Sequence, residues 1–310
     1  MASAALSDSS NHFTNFIEKV VNIRSVFHLG LLFALMLSAL RLEAQVTLGK
    51  TEIGLTAGGM NYIGDLNNQS MLGMPNVAFG GLFRINFDER WALRIDVDYG
   101  NLCGGDPDYI ARRNLSFRTY LFEAAMRAEF NFFPFSMRDD HFSWTPYIFG
   151  GLGFFTFNPK AQYTDPKNGL TGWYHLQPLC TEGQGTLLAP DRQPYVLKQL
   201  CFPFGLGFKY HPSKSLTLSV EYGFRKTWTD YLDDVSTVYV DNEVLASLKG
   251  DVAAALADRS SEVEAGYINA AGIKRGDDSL DDWYAYFNCS LTLSMDLLFG
   301  WMLKKKCDNK

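Results

Sequence analysis

The sequence predicts an all-β chain: a transmembrane antiparallel up-and-down β-barrel of about eight strands, with short periplasmic turns and long external loops. Three features carry this expectation. Strand-sized segments alternate with a period of two between an apolar face and a charged one; the links between them alternate in length; and Phe, Tyr and Trp make up 15 % of the chain. Trp91-Ala-Leu-Arg-Ile-Asp-Val-Asp-Tyr99 sets the pattern, with Trp91, Leu93, Ile95, Val97 and Tyr99 against Arg94, Asp96 and Asp98. A period of two puts alternate side chains on opposite faces of a strand. An oily face ending in rings suits hydrocarbon and its interfaces, and a charged face suits an enclosed interior.

Eight strands follow in order: Thr51–Gly59, Asn76–Phe87, Trp91–Leu102, Leu115–Phe133, Trp144–Phe157, Tyr195–Tyr210, Ser215–Lys226 and Asp282–Trp301. In the fourth, Tyr120, Phe122, Ala124, Met126, Ala128, Phe130 and Phe132 oppose Glu123, Arg127, Glu129 and Asn131. The eighth alternates Phe287, Cys289, Leu291, Leu293, Met295, Leu297, Phe299 and Trp301 with small polar residues and Asp296. The fifth and sixth are Gly-rich and less regular, and Pro203 is ill-suited to a ladder because it lacks an N–H. Links after strands two, four and six are short: Asp88 to Arg90, Pro134 to Ser143, and His211 to Lys214. The others are longer, so turns gather at one rim and loops at the other, with both termini periplasmic. A lipocalin-like barrel or a β-sandwich is the soluble alternative, with the oily face buried and polar groups outside. Neither accounts for such unequal loops.

The 310 residues are 47 % apolar and the mean hydropathy is −0.09, values typical of a soluble protein. Barrel strands escape hydropathy because only half of each is apolar. A net charge of −6 without long basic blocks gives no support for nucleic-acid binding. Val26 to Leu40 is an apolar block too short to span, preceded by Lys19 and Arg24 and followed by Leu42-Glu-Ala44. This reads as a secretory signal over 1–44, removed before Gln45, the polar first residues pointing to a start set too far upstream. An N-terminal anchor helix is the alternative. The barrel then occupies 45–303, and 304–310 is a basic periplasmic tail. Cys103, Cys180, Cys201, Cys289 and Cys307 match neither a zinc site nor a redox pair. Cys103 and Cys180 fall in loops on one side, where a pairing stays open, and Cys289 falls on an oily face.

The interior faces collect Arg84, Arg94, Asp96, Asp98, Glu123, Arg127, Glu129, Lys209, Glu221 and Arg225. An eight-stranded barrel is just wide enough for its side chains to fill, so a lumen charge network of cross-strand ion pairs is expected, not a conducting path. For catalysis the mature chain offers His141 and His211 at predicted turns and His175 in an external loop. No Ser-His-acid spacing, H-E-x-x-H or phosphate loop is present. No catalytic, cofactor-binding or metal-binding residue and no small-molecule substrate is therefore assigned, a lipid-modifying enzyme using His175 with a loop Ser being the enzymatic alternative. Asp230, Asp233, Asp234, Asp277, Asp278, Asp281 and Asp282 lack the spacing of a calcium loop and read as solvated loop charge. Arg275-Gly-Asp277 is an adhesion tripeptide by composition, which chance explains in a loop rich in all three residues. The long loops mix aromatics with turn formers, as folded caps do, and Ala253 to Ala257 suits a short helix.

Five strings go beyond architecture: Gly58-Gly-Met-Asn-Tyr-Ile-Gly-Asp-Leu66, Arg113-Asn-Leu-Ser-Phe-Arg-Thr119, Gln177-Pro-Leu-Cys-Thr-Glu-Gly-Gln-Gly185, Arg225-Lys-Thr-Trp-Thr-Asp-Tyr-Leu-Asp-Asp-Val235 and Arg275-Gly-Asp277. In this order they resemble the PorG family, outer-membrane barrels of the type IX protein secretion system of Bacteroidetes, over roughly 48–295. The resemblance implies a non-enzymatic component, without cofactor, that ties a periplasmic ring (a PorK-like lipoprotein and a PorN-like protein) to the outer membrane and its lipids. Cys180 stands where the resemblance expects Gly, which bears on that loop's turn geometry. A periplasmic partner reaches only the short turns and the tail, so Arg138, Asp139, Asp140, Lys304, Lys305 and Lys306 are the expected contact. A small barrel binding surface ligands through its external loops, as an adhesin, is the competing function.

Overall fold

Strand β1 (Thr51–Ile63) opens a meander that continues through β2 (Asn76–Asn86), β3 (Trp91–Gly105), β4 (Ser116–Asn131) and β5 (Trp144–Thr156). A hairpin of β6 (Lys160–Thr164) and β7 (Thr171–His175) follows, then β8 (Lys198–Ser213), β9 (Leu216–Thr227) and β10 (Trp283–Ser294). Between β9 and β10 lie two short helices, α1 (Asn242–Lys249) and α2 (Asp251–Ala257). The structure is a computed structural model and describes residues 51–66, 76–106, 113–136 and 143–295. Those residues belong to one unit, Leu48–Lys310. The proposed signal segment, His141, Arg138, Asp139, Asp140, Cys307 and the tail with Lys304, Lys305 and Lys306 lie outside the described residues.

Every neighbouring pair is antiparallel, in the order β3-β2-β1-β10-β9-β8-β5-β4, and a fifteen-rung ladder from Trp91↔Phe130 to Gly105↔Ser116 joins β3 to β4. The sheet therefore closes into an eight-stranded barrel, and closure leaves no unpaired strand edge in the wall. β6 and β7 stand outside that ring and continue the upper end of β4 through Arg118↔Lys160. The hairpin was not predicted, because its polar, short strands carry no two-period apolar face. Among the described residues no helix is long and apolar enough to cross a membrane; any crossing is by strands.

Which face points where decides the kind of barrel. Leu55, Ile95, Val97, Met126, Ile148, Leu152, Leu206, Val220 and Leu291 are exposed on the outside, whereas the charged alternates are buried inside. This is the inverse of a lipocalin or a sandwich. Rings bound the apolar zone at both ends: Phe79, Tyr99, Tyr120, Phe122 and Phe154 toward the loop rim, and Trp91, Phe132, Trp144, Phe208 and Tyr210 toward the turn rim. Neighbouring rings touch along each belt, Phe79 with Tyr99 at 5.6 Å and Trp144 with Phe208 at 5.5 Å between centroids. Aromatic girdles of this kind seat a barrel at the two membrane interfaces.

The glycine-rich strands have a packing reason. A Cβ on inward-facing Gly205 or Gly223 would lie within 2.8 Å of the Phe149 ring, and one on Gly207 within 2.5 Å of Tyr147. These positions are hollows that let two rings fill the lumen. Pro203 is accommodated because the β5–β8 ladder skips the pairs between Gly150↔Phe204 and Gly153↔Cys201 and resumes in register, where its missing N–H costs nothing. Several strand ends shift by a few residues, and two of the shifts move a singled-out residue. Cys103 belongs to β3 rather than a loop, and His211 lies buried within β8, edge-on to Phe135 at 5.1 Å, so the turn is Lys214 and Ser215 alone.

Candidate functional site

Register brings like charges together inside the barrel. Arg84, Arg94 and Arg127 are directly opposite one another on β2, β3 and β4, an arrangement that destabilises a sheet unless carboxylates answer it. The answer comes partly from Glu52 on β1 and partly from across the lumen. Arg84 binds Glu52 at 2.9 Å and Glu129 at 3.0 Å; Arg127 binds Asp96 at 2.8 Å and Glu221 at 3.2 Å. Arg94 binds Asp96 at 2.6 Å and also Glu221. Lys209 sits 2.5 Å from Glu129, and Arg225 sits 3.3 Å from Glu123. Asp98 instead accepts from Thr56 at 2.9 Å and Tyr286 at 3.1 Å. All ten predicted interior groups are at most 1 % exposed. Glu52 was missed, since β1 is Gly-rich and offers no other charge to mark its inner face; it makes a sixth carboxylate against five cations.

Toward the loop rim the interior changes character. Met60, Leu102, Phe117, Leu121, Phe155 and Tyr284 form an apolar core with Leu232 and Val235, which the β9–β10 loop inserts from above. Charge and hydrocarbon thus fill successive layers of the same lumen.

Above that core the loops form a cap around two buried groups, Glu182 and Arg275. Glu182 accepts from the backbone N–H of Ser236 at 2.9 Å, the Thr237 hydroxyl at 2.6 Å and Arg275 at 3.0 Å. Arg275 also donates to the carbonyls of Asp234 at 2.6 Å and Ala257 at 3.1 Å. Asp234 accepts from Thr181 at 2.5 Å and Tyr195 at 2.7 Å. Beside them, the Tyr62 hydroxyl lies 2.7 Å from Asp233 and 2.6 Å from Asp282. Arg113 clamps Asp106 and donates to the carbonyls of Asp65 and Arg275, both at 2.7 Å. All five strings that carry the family resemblance contribute to this network. Cys180, in the position expected to be Gly, has φ 52° and ψ 53°, the left-handed conformation that favours Gly.

One reading of the loops is corrected by this geometry. Asp233, Asp234 and Asp282 are at most 1 % exposed rather than solvated; sequence spacing gave no sign that Tyr62 and backbone N–H groups would meet them. Burial pushes the Asp233 carboxyl up to about 8 and that of Asp234 up to about 6, and raises Asp282 well above the usual carboxylate range. Arg275 is 2 % exposed and held by Glu182, so the arginine of the Arg-Gly-Asp tripeptide is part of the cap's interior, whereas Asp277 is partly exposed and pairs with Lys274 at 3.0 Å. Asp278 and Asp281 are exposed. Among the described residues no group of His, Cys, Asp and Glu is arranged to hold a metal, and Cys103, Cys180, Cys201 and Cys289 are free thiols. Ala253 to Ala257 is helical within α2. His175 is exposed on β7, in register with Lys160, and among the described residues no Ser hydroxyl bonds to it.

The chain is a transmembrane-type β-barrel: closed, apolar outside, filled within. Residues 27–170 match a family described as a domain of unknown function (DUF6089). No curated protein matches the chain. Among solved structures it is similar to Ail, the attachment invasion locus protein of Yersinia pestis, at 7 % identity over 79 % of this chain and 98 % of that one, with a TM-score of 0.34. It is similar also to OprG from Pseudomonas aeruginosa, at 10 % identity over 78 % and 93 % of the two chains, TM-score 0.35. Neisserial surface protein A is similar at 12 % identity over 79 % and 97 %, TM-score 0.31.

Proposed function

We propose that this barrel is a non-enzymatic scaffold of a type IX secretion system, tying a periplasmic ring of PorK-like and PorN-like proteins to the outer membrane, with its long loops external and its termini periplasmic. The observation that carries the reading is the convergence of the five PorG-like strings on one buried cap network, from Tyr62 and Arg113 to Glu182, Asp233, Asp234 and Arg275. Strings matched by accident have no reason to bond to one another. The filled lumen points the same way. A barrel packed with side chains has no room for folded cargo, and an anchor needs none.

In this reading the partner touches the turn rim, where Arg138, Asp139 and Asp140 and the Lys304 to Lys306 tail supply charge. Affinity capture of the tagged, membrane-extracted protein recovers the ring proteins. Reversing those six charges releases them while the unboiled protein keeps its barrel mobility on a gel; unchanged recovery moves the contact elsewhere. A second reading, a barrel that binds a surface ligand, is favoured by exposed Leu170, Leu187 and Leu280 on the loop rim. Deleting the 160–175 hairpin separates the two, because a periplasmic anchor survives that loss and a surface binder does not.

A further inference from the structure

Three basic side chains line up where β6 and β7 leave the barrel. Arg118 of β4 is in register with Lys160 of β6, and Lys160 with His175 of β7. In-register residues share a face and stand about 5 Å apart from strand to strand, and this face is the outward one that also carries Tyr120 and Phe122. The Arg118 guanidinium lies 5.2 Å from the centre of the Trp173 ring, and the Lys160 ammonium lies 4.7 Å from Tyr120 and 5.3 Å from Trp173. Among the described residues neither cation has a carboxylate partner. Like charges directly opposite one another are unfavourable in a sheet. Ring faces steady them, but leave the charge in place. Such a row is complete only with an anion.

Position says which anion. Tyr120 belongs to the aromatic belt at the loop rim, stacked on Tyr99 at 6.0 Å. Arg118 is one outward-facing residue beyond it, about 7 Å further toward the loops, which is headgroup level. On the neighbouring strands β2 and β3 the same rim is neutral: Cys103 stands opposite Arg118 in the β3–β4 ladder, and Asn76, Asn101 and Cys103 are bonded among themselves. A guanidinium fork and a compact ammonium together suit phosphate oxygens.

We propose that Arg118, Lys160 and His175, flanked by Tyr120 and Trp173, bind the phosphate groups of an outer-leaflet glycolipid. The leaflet follows from the loop-outward orientation proposed above; the phosphate chemistry depends neither on that orientation nor on the secretion reading, whose test is recovery of the ring. The hairpin then has a purpose, since it delivers Lys160, Trp173 and His175 to a wall that owns only Arg118 and Tyr120.

The test uses the full chain purified in detergent and mixed with micelles containing diphosphorylated lipid A, with lipid retained through gel filtration measured by mass spectrometry. Retention exceeds that of lipid A stripped of its phosphates by about tenfold, a factor worth about 1.4 kcal/mol. R118E/K160E loses the preference, and K167E, which changes a hairpin-tip charge away from the row, keeps it. R118Q/K160Q reads the same loss if charge reversal prevents folding. Equal retention of the two lipids, undiminished preference in both double variants, or displacement by inorganic phosphate overturns the proposal.

Discussion

Glu221 on β9 ties its neighbour β10 to three strands that β9 never touches, β3, β4 and β5. It receives Arg94 and Arg127 from the far wall, the Tyr147 hydroxyl from β5 and the Asn288 amide at 3.3 Å from β10. Removing one partner of a buried pair leaves an uncompensated charge and costs about 3–5 kcal/mol. Glu221→Ala therefore abandons two arginines already crowded by register, and unfolding in urea from detergent should show a loss of that size. Asp278→Ala, on the exposed loop surface, should leave the midpoint in place; equal midpoints for the two variants would mean that the interior pairs contribute no net stability. Cys180 offers a second residue-level test, because its left-handed backbone was hinted at by the Gly expected there. Cys180→Gly removes a strain of about 1 kcal/mol and should leave proteolytic resistance of the 177–185 loop intact. Cys180→Val adds a β-branched side chain to the same conformation and should expose that loop to cleavage.

At the scale of elements, the cap's stability is set by carboxyls that prefer to stay protonated. Asp233 is pushed from its ordinary value of 3.8 up to about 8 by burial, and Asp282 is raised by burial and then by the charge of Asp233. A carboxyl whose folded pKa exceeds its unfolded one holds its proton more tightly when folded. Its contribution is full below the unfolded value and is lost as pH rises through the folded value. The cap should therefore loosen between about pH 4 and pH 8, seen as falling hydrogen-exchange protection at the Leu232 and Val235 amides, which are bonded to Asp282 and Asp233. D233N/D282N should abolish that slope; an unchanged slope would place the titration elsewhere. These cap contacts also mark where the sequence stops being legible. The wall strands declare themselves by period-two alternation, so all eight and most of their charged interior were readable, while Glu52 and the strand ends at Cys103 and His211 were not. The cap has no period. Asp233 and Asp278 look alike in a polar loop, and only the approach of Tyr62 from a strand more than a hundred and fifty positions away makes one buried and leaves the other in water. The β6–β7 hairpin was hidden for a related reason: its strands pair with each other and with the tip of β4, so neither needs a lipid-facing stripe.

For the whole molecule, two seals lie in series along one lumen. The charged layer from Glu52 to Glu221 fills the lower interior, and the apolar layer around Met60, Leu121 and Tyr284, closed by Leu232 and Val235, fills the upper. An ion would have to displace paired charges in the first and shed its hydration in the second, and each step is costly without compensating ligands. The purified protein in a planar bilayer should show no sustained conductance. Weakening one seal tests whether both exist. Glu221→Ala disturbs only the charged layer, so the variant should remain closed as long as the cap holds. Deleting 229–235 removes Leu232 and Val235 but leaves the ion pairs, and should remain closed as well. Combining the two changes should be the first condition to give stable current steps. Steps from the unaltered protein would show that the filled interior is a gate, and the anchoring role would lose its physical argument.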